Sequence, residues 1–257
     1  MIQETEEITH AWLNSPASRV PPGELILVTD FDGTLAEVVP DPSAARARPE
    51  ALEALLELAM LLADVIVLSS RPLSQLELLV PISGVRLIGD SGLALPRHAQ
   101  KEALDRFNSE SARLLQRIPG AWLETKPAST AIHFRNTDMN GEEMLALLRP
   151  LLDGARLAAS LGRKVVEVHT PKAGKGSAMA ALLPHEDPAG VVCFGDDEND
   201  RSLFEYVSAL DIPHMAVGVW SPEAPKDLFE RCDLVVAGPE GASAVLWQIV
   251  DWARKDS

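Results

Sequence analysis

The residues of this 257-residue chain best suited to chemistry are carboxylates at the ends of apolar runs. LILVT, residues 25–29, leads straight into Asp30-Phe31-Asp32-Gly33-Thr34, so Asp30 and Asp32 stand two apart and share one side of an extended chain. One carboxylate of such a pair can attack phosphorus while the other carries a proton, and Gly33 permits a sharp turn that brings backbone N–H groups to an anion. The same residues can equally well end a strand and cap a helix. VIVLSSR puts Ser69 and Arg71 after a second run, and VVCFGDDEND puts Asp196, Asp197 and Asp200 after a later one. Asp30, Asp196 and the carbonyl of Asp32 offer hard oxygen donors suited to Mg2+, which shares its remaining sites with waters and a substrate phosphate. Lys175 opens the helical pattern KGSAMAALL, where an ammonium and the free N–H groups of a first turn jointly suit a phosphate, although taken alone it reads more readily as an ordinary surface lysine.

Two look-alike motifs fail. KAGKGS lacks the first glycine of a nucleotide-binding P-loop, with His169 near its place, and DDENDR lacks the glycine and distal glutamate of an EF-hand.

The elements that must position these residues are legible from patterning. LILVT, VIVLS (65–69), VRLI (85–88), VVCF (191–194) and LVVA (234–237) are apolar without alternation, as strands covered on both faces are. Helical patterns lie between them, clearest over residues 49–63, where Pro49 suits a first turn and Leu52, Leu55, Leu56, Ala59 and Leu62 form a stripe. This alternation predicts an α/β fold with a doubly wound, mainly parallel, Rossmann-like sheet. The middle of the chain differs. A helix near residues 99–117 precedes alternating segments at 122–126 and 130–135, and a helix at 141–152 precedes short strands near 155–159 and 164–169. That order predicts an α+β module over residues 93–169, inserted between the core halves 1–92 and 170–257. Within it Glu124 and Lys126, His133 and Arg135, and Glu167 and His169 each share a strand face, with Ile132, Phe134, Val166 and Val168 on the other. Alternation alone fits a recognition surface and a plain wet face equally. Trp12, Trp122, Trp220, Trp247 and Trp252 read as core or interface residues rather than as a stacking platform, and the remaining histidines show no ligand spacing.

Charge narrows the partners. Lys and Arg number 23 against 38 Asp and Glu, a formal charge of −15, so nucleic acid and anionic membranes are poor partners. A phosphorylated substrate then needs local cations or a metal ion. No apolar stretch suits a membrane span, no targeting segment is expected, and two cysteines, Cys193 and Cys232, fit a reducing cytoplasm. A monomer is expected.

DFDGT, the serine of LSSR, Lys175 and GDDEND together resemble the four signature motifs of haloacid dehalogenase superfamily phosphatases, in their usual order. The insertion resembles the second cap type of that superfamily, and VTDFDGTLAEVVPDPSAA, ETKPASTAIHFR and VVEVHTPKAGKG are similar to trehalose-6-phosphate phosphatases. The resemblance implies Asp30 as nucleophile, Asp32 as general acid and base, Ser69 and Lys175 as phosphate holders, and Asp196 as a magnesium ligand backed by Asp200. It further implies that Glu124, Lys126, Arg135 and Glu167 meet sugar hydroxyls. Ser70, Asp90, Ser91 and His169 depart from the family pattern, where Gly, Glu, His and Arg stand. The expected substrate is a small phosphorylated sugar, trehalose 6-phosphate first, with sucrose phosphate or a glycerate phosphate as alternatives. A non-catalytic sensing module is disfavoured because Asp30 and Asp32 are both present.

Overall fold

A computed structural model describes residues 2–92, 98–126, 129–155, 157–169 and 174–255. In chain order its first part runs α1 (Ile2–Asn14), β1 (Leu25–Thr29), α2 (Pro49–Leu61), β2 (Asp64–Leu68), α3 (Leu73–Leu79) and β3 (Val85–Ile88). There follow α4 (His98–Leu115), β4 (Trp122–Thr125), β5 (Ser129–His133), α5 (Gly141–Ala155), β6 (Ala158–Gly162) and β7 (Val165–His169). The chain ends with α6 (Lys175–Glu186), β8 (Gly190–Gly195), α7 (Arg201–Ser208), β9 (His214–Trp220), β10 (Leu234–Ala237) and α8 (Gly238–Ala253).

The larger sheet has six parallel strands in the order β10-β9-β8-β1-β2-β3. The unbroken apolar runs are explained by its two faces. Leu25, Leu27, Val65, Val67, Val192 and Phe194 pack toward α1, α2 and α8, whereas Ile26, Val28, Ile66, Leu68, Val191 and Cys193 pack toward α6 and α7. The chain winds outward from β1 to β3, then returns to place β8 against β1's other side. That reversal is a topological switch point, and open α/β sheets bind ligands in the crevice beyond it.

The second sheet is antiparallel, in the order β4-β5-β7-β6. Ile132, Phe134, Val166 and Val168 pack on α4 and α5 through Phe107, Met144 and Leu148. The boundaries expected at residues 93 and 170 lie outside the described residues.

Several expectations are corrected in detail. The strand expected near 155–159 begins at Ala158, because α5 continues through Ala155 and β6 is set by its pairing, Ala158 opposite His169 and Gly162 opposite Val165. Strand β9 was not foreseen. Gly218 interrupts its apolar run, and a Cβ there would lie 2.4 Å from the Phe229 ring. In α2 the buried face is Ala51, Ala54, Leu55 and Leu58, rotated from the expected stripe, and Leu56 is left exposed. The small Ala51 and Ala54 suit the close packing of α2 on α8. Among the described residues no helix is long and apolar enough to cross a membrane.

Candidate active site

The carboxyl ends of β1 and β8 bring Asp30 and Asp196 side by side at the switch point. Carboxylate oxygens of Asp30, Asp196 and Asp200 lie within 4.8 Å of one another, and all three residues are buried. The loop after β8 is folded by its own acids. Asp197 accepts from Asn199 N–H at 2.8 Å, and Asp200 Oδ2 accepts from the backbone N–H groups of Asp196 and Asp197 at 2.9 and 3.2 Å, a reciprocal capping box. Gly33 lets the loop after β1 pass beside Asp196. Its φ is +83°, and a Cβ there would lie 2.2 Å from Asp196 Oδ2.

Lys175, at the first turn of α6, points into this cluster. Its Nζ lies 2.7 Å from Asp30 Oδ1 and 2.5 Å from Asp200 Oδ1, with the side chain almost fully buried. Burial lowers the lysine's pKa, but the fields of Asp200, Asp30 and Asp197 outweigh it and hold the ammonium above its ordinary value. Burial pushes Asp30 up to about 7, against the pull of Lys175 and with the push of Asp200 and Asp197. Burial likewise raises Asp196 well above the usual carboxylate range, helped by Asp197 and opposed by Arg163, and brings Asp197 to about 6. Crowded buried carboxylates of this kind are the setting that a divalent cation neutralises. Asp30 and Asp196 fit as donors. Asp196 Oδ2 is buried without a hydrogen bond, whereas Lys175 and two backbone amides already engage both oxygens of Asp200.

Asp32 faces the same cavity, but its carboxylate is held by Arg71, with Nε to Oδ2 and Nη2 to Oδ1 both at 2.7 Å. To protonate a leaving oxygen, Asp32 must release at least one of these bonds. Ser69 is buried and its hydroxyl accepts from the Arg71 N–H at 3.2 Å, while Ser70 and Arg71 line the cavity wall.

The antiparallel sheet forms the roof. Glu124, Lys126, Arg135 and Glu167 all line the cavity that contains Asp30 and Lys175. Lys126 Nζ sits 3.2 Å from both Glu167 oxygens and donates to the Ser70 carbonyl at 2.6 Å, tying roof to core. Ser129 donates to Glu167 at 2.5 Å, and Glu124 meets His133 Nε2 at 2.8 Å. That hydrogen bond from His133 lowers the pKa of Glu124 against the effect of burial. His169 does not share the cavity. It lies 3.2 Å from Ser160 in a neighbouring cleft.

Two residues escaped sequence reasoning. Arg163, in the turn between β6 and β7, reaches down to place Nη2 2.6 Å from Asp196 Oδ2, at an angle that makes an ion pair and no hydrogen bond. A basic turn at a hairpin tip carries no local signal of this contact. Trp122, expected in the core or at an interface, is 41% exposed on the cavity wall and stacks on His133 with centroids 3.9 Å apart and planes 10° from parallel. Its position two residues before Glu124 was the available signal.

The arrangement can hold an anion between Lys175 and a cation at Asp30 and Asp196, beneath a polar roof. Residues 28–227 match the model of the trehalose-phosphatase family. The chain is 33% identical over 203 residues to the trehalose-phosphate phosphatase of Mycobacterium tuberculosis, covering 72% of this chain and 51% of that protein. It is 34% identical over 198 residues to a protein of the same organism named an uncharacterized glycosyl hydrolase, covering 69% of this chain and 15% of that one. The chain thus spans about half the length of the first of these relatives, and far less of the second. In fold it is similar to the C-terminal domain of Candida albicans trehalose-6-phosphate phosphatase, with a TM-score of 0.74, 18% identity and 96% of each chain covered.

Proposed function

The chain belongs to the trehalose-phosphatase family, and from that premise we propose that it hydrolyses trehalose 6-phosphate to trehalose and phosphate through a phosphorylated Asp30. The observation that carries this reading is Lys175, which joins Asp30 to Asp200 at the β1–β8 switch point beneath Glu124, Lys126, Arg135 and Glu167.

Lys175 orients Asp30 through Oδ1, which leaves Oδ2 to attack phosphorus in line with the sugar oxygen. The bond from phosphorus to the sugar oxygen breaks as the bond to Asp30 forms. Asp32, freed from part of its Arg71 clamp, gives its proton to the departing sugar oxygen. In the second half Asp32 takes a proton from water, the water oxygen attacks phosphorus, and phosphate leaves with Asp30 restored. Mg2+ held by Asp30, the Asp32 carbonyl and Asp196, with Asp200 behind, would neutralise charge on the phosphoryl oxygens. Ser69 and Lys175 hold the phosphoryl group, and Glu124, Lys126, Arg135 and Glu167 receive sugar hydroxyls. A roof spanning residues 93–169 over a core of 1–92 and 170–257 is the domain division this reading implies. Two free cysteines favour a reducing cytoplasm, and we take the working form to be a monomer.

The test measures phosphate release from trehalose 6-phosphate, sucrose 6-phosphate, glucose 6-phosphate and a glycerate phosphate, each with magnesium and with chelator. Trehalose 6-phosphate with magnesium should give the highest kcat/KM. Asp30→Asn should lose turnover with its circular dichroism unchanged, and substantial release by that variant would sink the nucleophile assignment.

A further inference from the structure

We infer that Trp122 is the stacking platform for the sugar ring remote from the phosphate, and so selects two-ring over one-ring sugar phosphates; the inference rests on the sugar-phosphatase reading above. The indole is 41% exposed and lines the cavity that holds Asp30 and Lys175, where its flat apolar body and polar N–H suit a ligand. Here it is also held still. One ring face stacks on His133, and His133 is itself fixed by Glu124 at 2.8 Å.

Its place on the roof sets the length of ligand it can meet. Trp122, His133, Val165 and Gly162 pair in one row across the four strands, and the row ends beside Arg163, which touches Asp196. Three strand spacings of about 4.8 Å separate Trp122 from that end, roughly 14 Å. Along β4, four residues at about 3.3 Å each, again roughly 13 Å, separate it from Lys126, the other tie to the core. Trp122 therefore stands at the corner of the roof away from both contacts with the catalytic end. On that spacing a ligand that reaches from the catalytic end to Trp122 is longer than one hexose, as a two-ring sugar phosphate is.

The chemistry of the surroundings suits a pyranose ring. Such a ring offers an apolar face of C–H groups and a rim of hydroxyls. Val38, Val39, Pro40 and Pro42, on the core loop after Asp32, line the same cavity as Trp122 and supply apolar walls, while Glu124 is near to take hydroxyls.

The experiment compares kcat/KM for trehalose 6-phosphate and glucose 6-phosphate in the wild type, Trp122→Ala and Trp122→Phe. We expect the ratio of the two to fall about tenfold in the alanine variant, mainly through KM for the two-ring substrate, and to recover largely in the phenylalanine variant. Titration with trehalose should also change tryptophan emission in the wild type and not in Trp122→Phe. An unchanged ratio in Trp122→Ala would overturn the inference, as would a wild type that prefers one-ring substrates. If the wild type instead favours sucrose 6-phosphate, the assigned sugar is wrong, and the ratio taken with that two-ring substrate decides the role of Trp122.

Discussion

Lys175→Met isolates the electrostatic logic of the site, because the replacement keeps a long apolar stem and removes only the ammonium. That ammonium lies 2.7 Å from Asp30 and 2.5 Å from Asp200, both buried, with Asp196 also inside the 4.8 Å cluster. Removing one partner of a buried ion pair leaves charge uncompensated and costs about 3–5 kcal/mol. For a protein of this size each kcal/mol moves the melting temperature by roughly 2–4 °C, so the variant should melt roughly 6–20 °C below the wild type in chelator. Asp200→Asn added to Lys175→Met removes one of the stranded charges and should recover part of the loss. Magnesium at about 100 times its Kd stabilises a binding-competent form by about 2.7 kcal/mol, so it should narrow the gap if it enters the same acids. The assay is thermal unfolding followed by circular dichroism, with chelator and with magnesium. A Lys175→Met variant melting within about 2 °C of the wild type in chelator would refute the reasoning, since a shift that small corresponds to at most about 1 kcal/mol.

Further expectations concern other parts of the site. Gly33→Ala combines a φ of +83° with a Cβ 2.2 Å from Asp196 Oδ2, so it should destabilise the fold by more than about 1 kcal/mol and weaken magnesium binding measured by calorimetry. Glu124→Ala and Arg135→Ala should each lower kcat/KM for a sugar phosphate at least tenfold more than for p-nitrophenyl phosphate. Equal losses on both would remove these residues from sugar recognition. Burial pushes the Cys193 thiol well up and raises Cys232 to about 12, where the field of Asp233 adds to it, so neither should react with a thiol reagent near pH 8 until the protein is unfolded.

The acidic half of the site was legible in the sequence because each of its carboxylates is set by local chain geometry. Asp30 and Asp32 follow an apolar strand, Asp196 and Asp200 follow another, and Lys175 opens a helix. A parallel sheet sends all such strand ends to one edge, so knowing the elements is nearly enough to know that these residues meet. The roof's polar face was legible in the same way, through the two-residue period of β4, β5 and β7.

Arg163 and Trp122 were not legible, and neither was the buried stripe of α2. An arginine in a hairpin turn normally faces solvent, and what makes Arg163 a partner of Asp196 is the seating of the roof on the core, a contact between segments 33 residues apart (196 − 163). The roof sits that low partly because Gly162 has no side chain to meet Asp197, whose Oδ2 would lie 2.8 Å from a Cβ there. Trp122 reads from the sequence as a core or interface residue like the other tryptophans, and only the pairing of β4 with β5 turns it onto the cavity wall beside His133.

The sequence by itself therefore determined which acids converge, since strand ends are properties of short segments, while Lys175 joined them only through the resemblance of the four motifs taken together. Tertiary structure alone decided what those groups do to one another. Lys175 bridges Asp30 and Asp200, Arg71 clamps Asp32, and Arg163 leans on Asp196. The physical reason is range. Periodicity and turn chemistry act over a few residues, whereas desolvation and Coulomb fields act through space between segments that only the fold brings together.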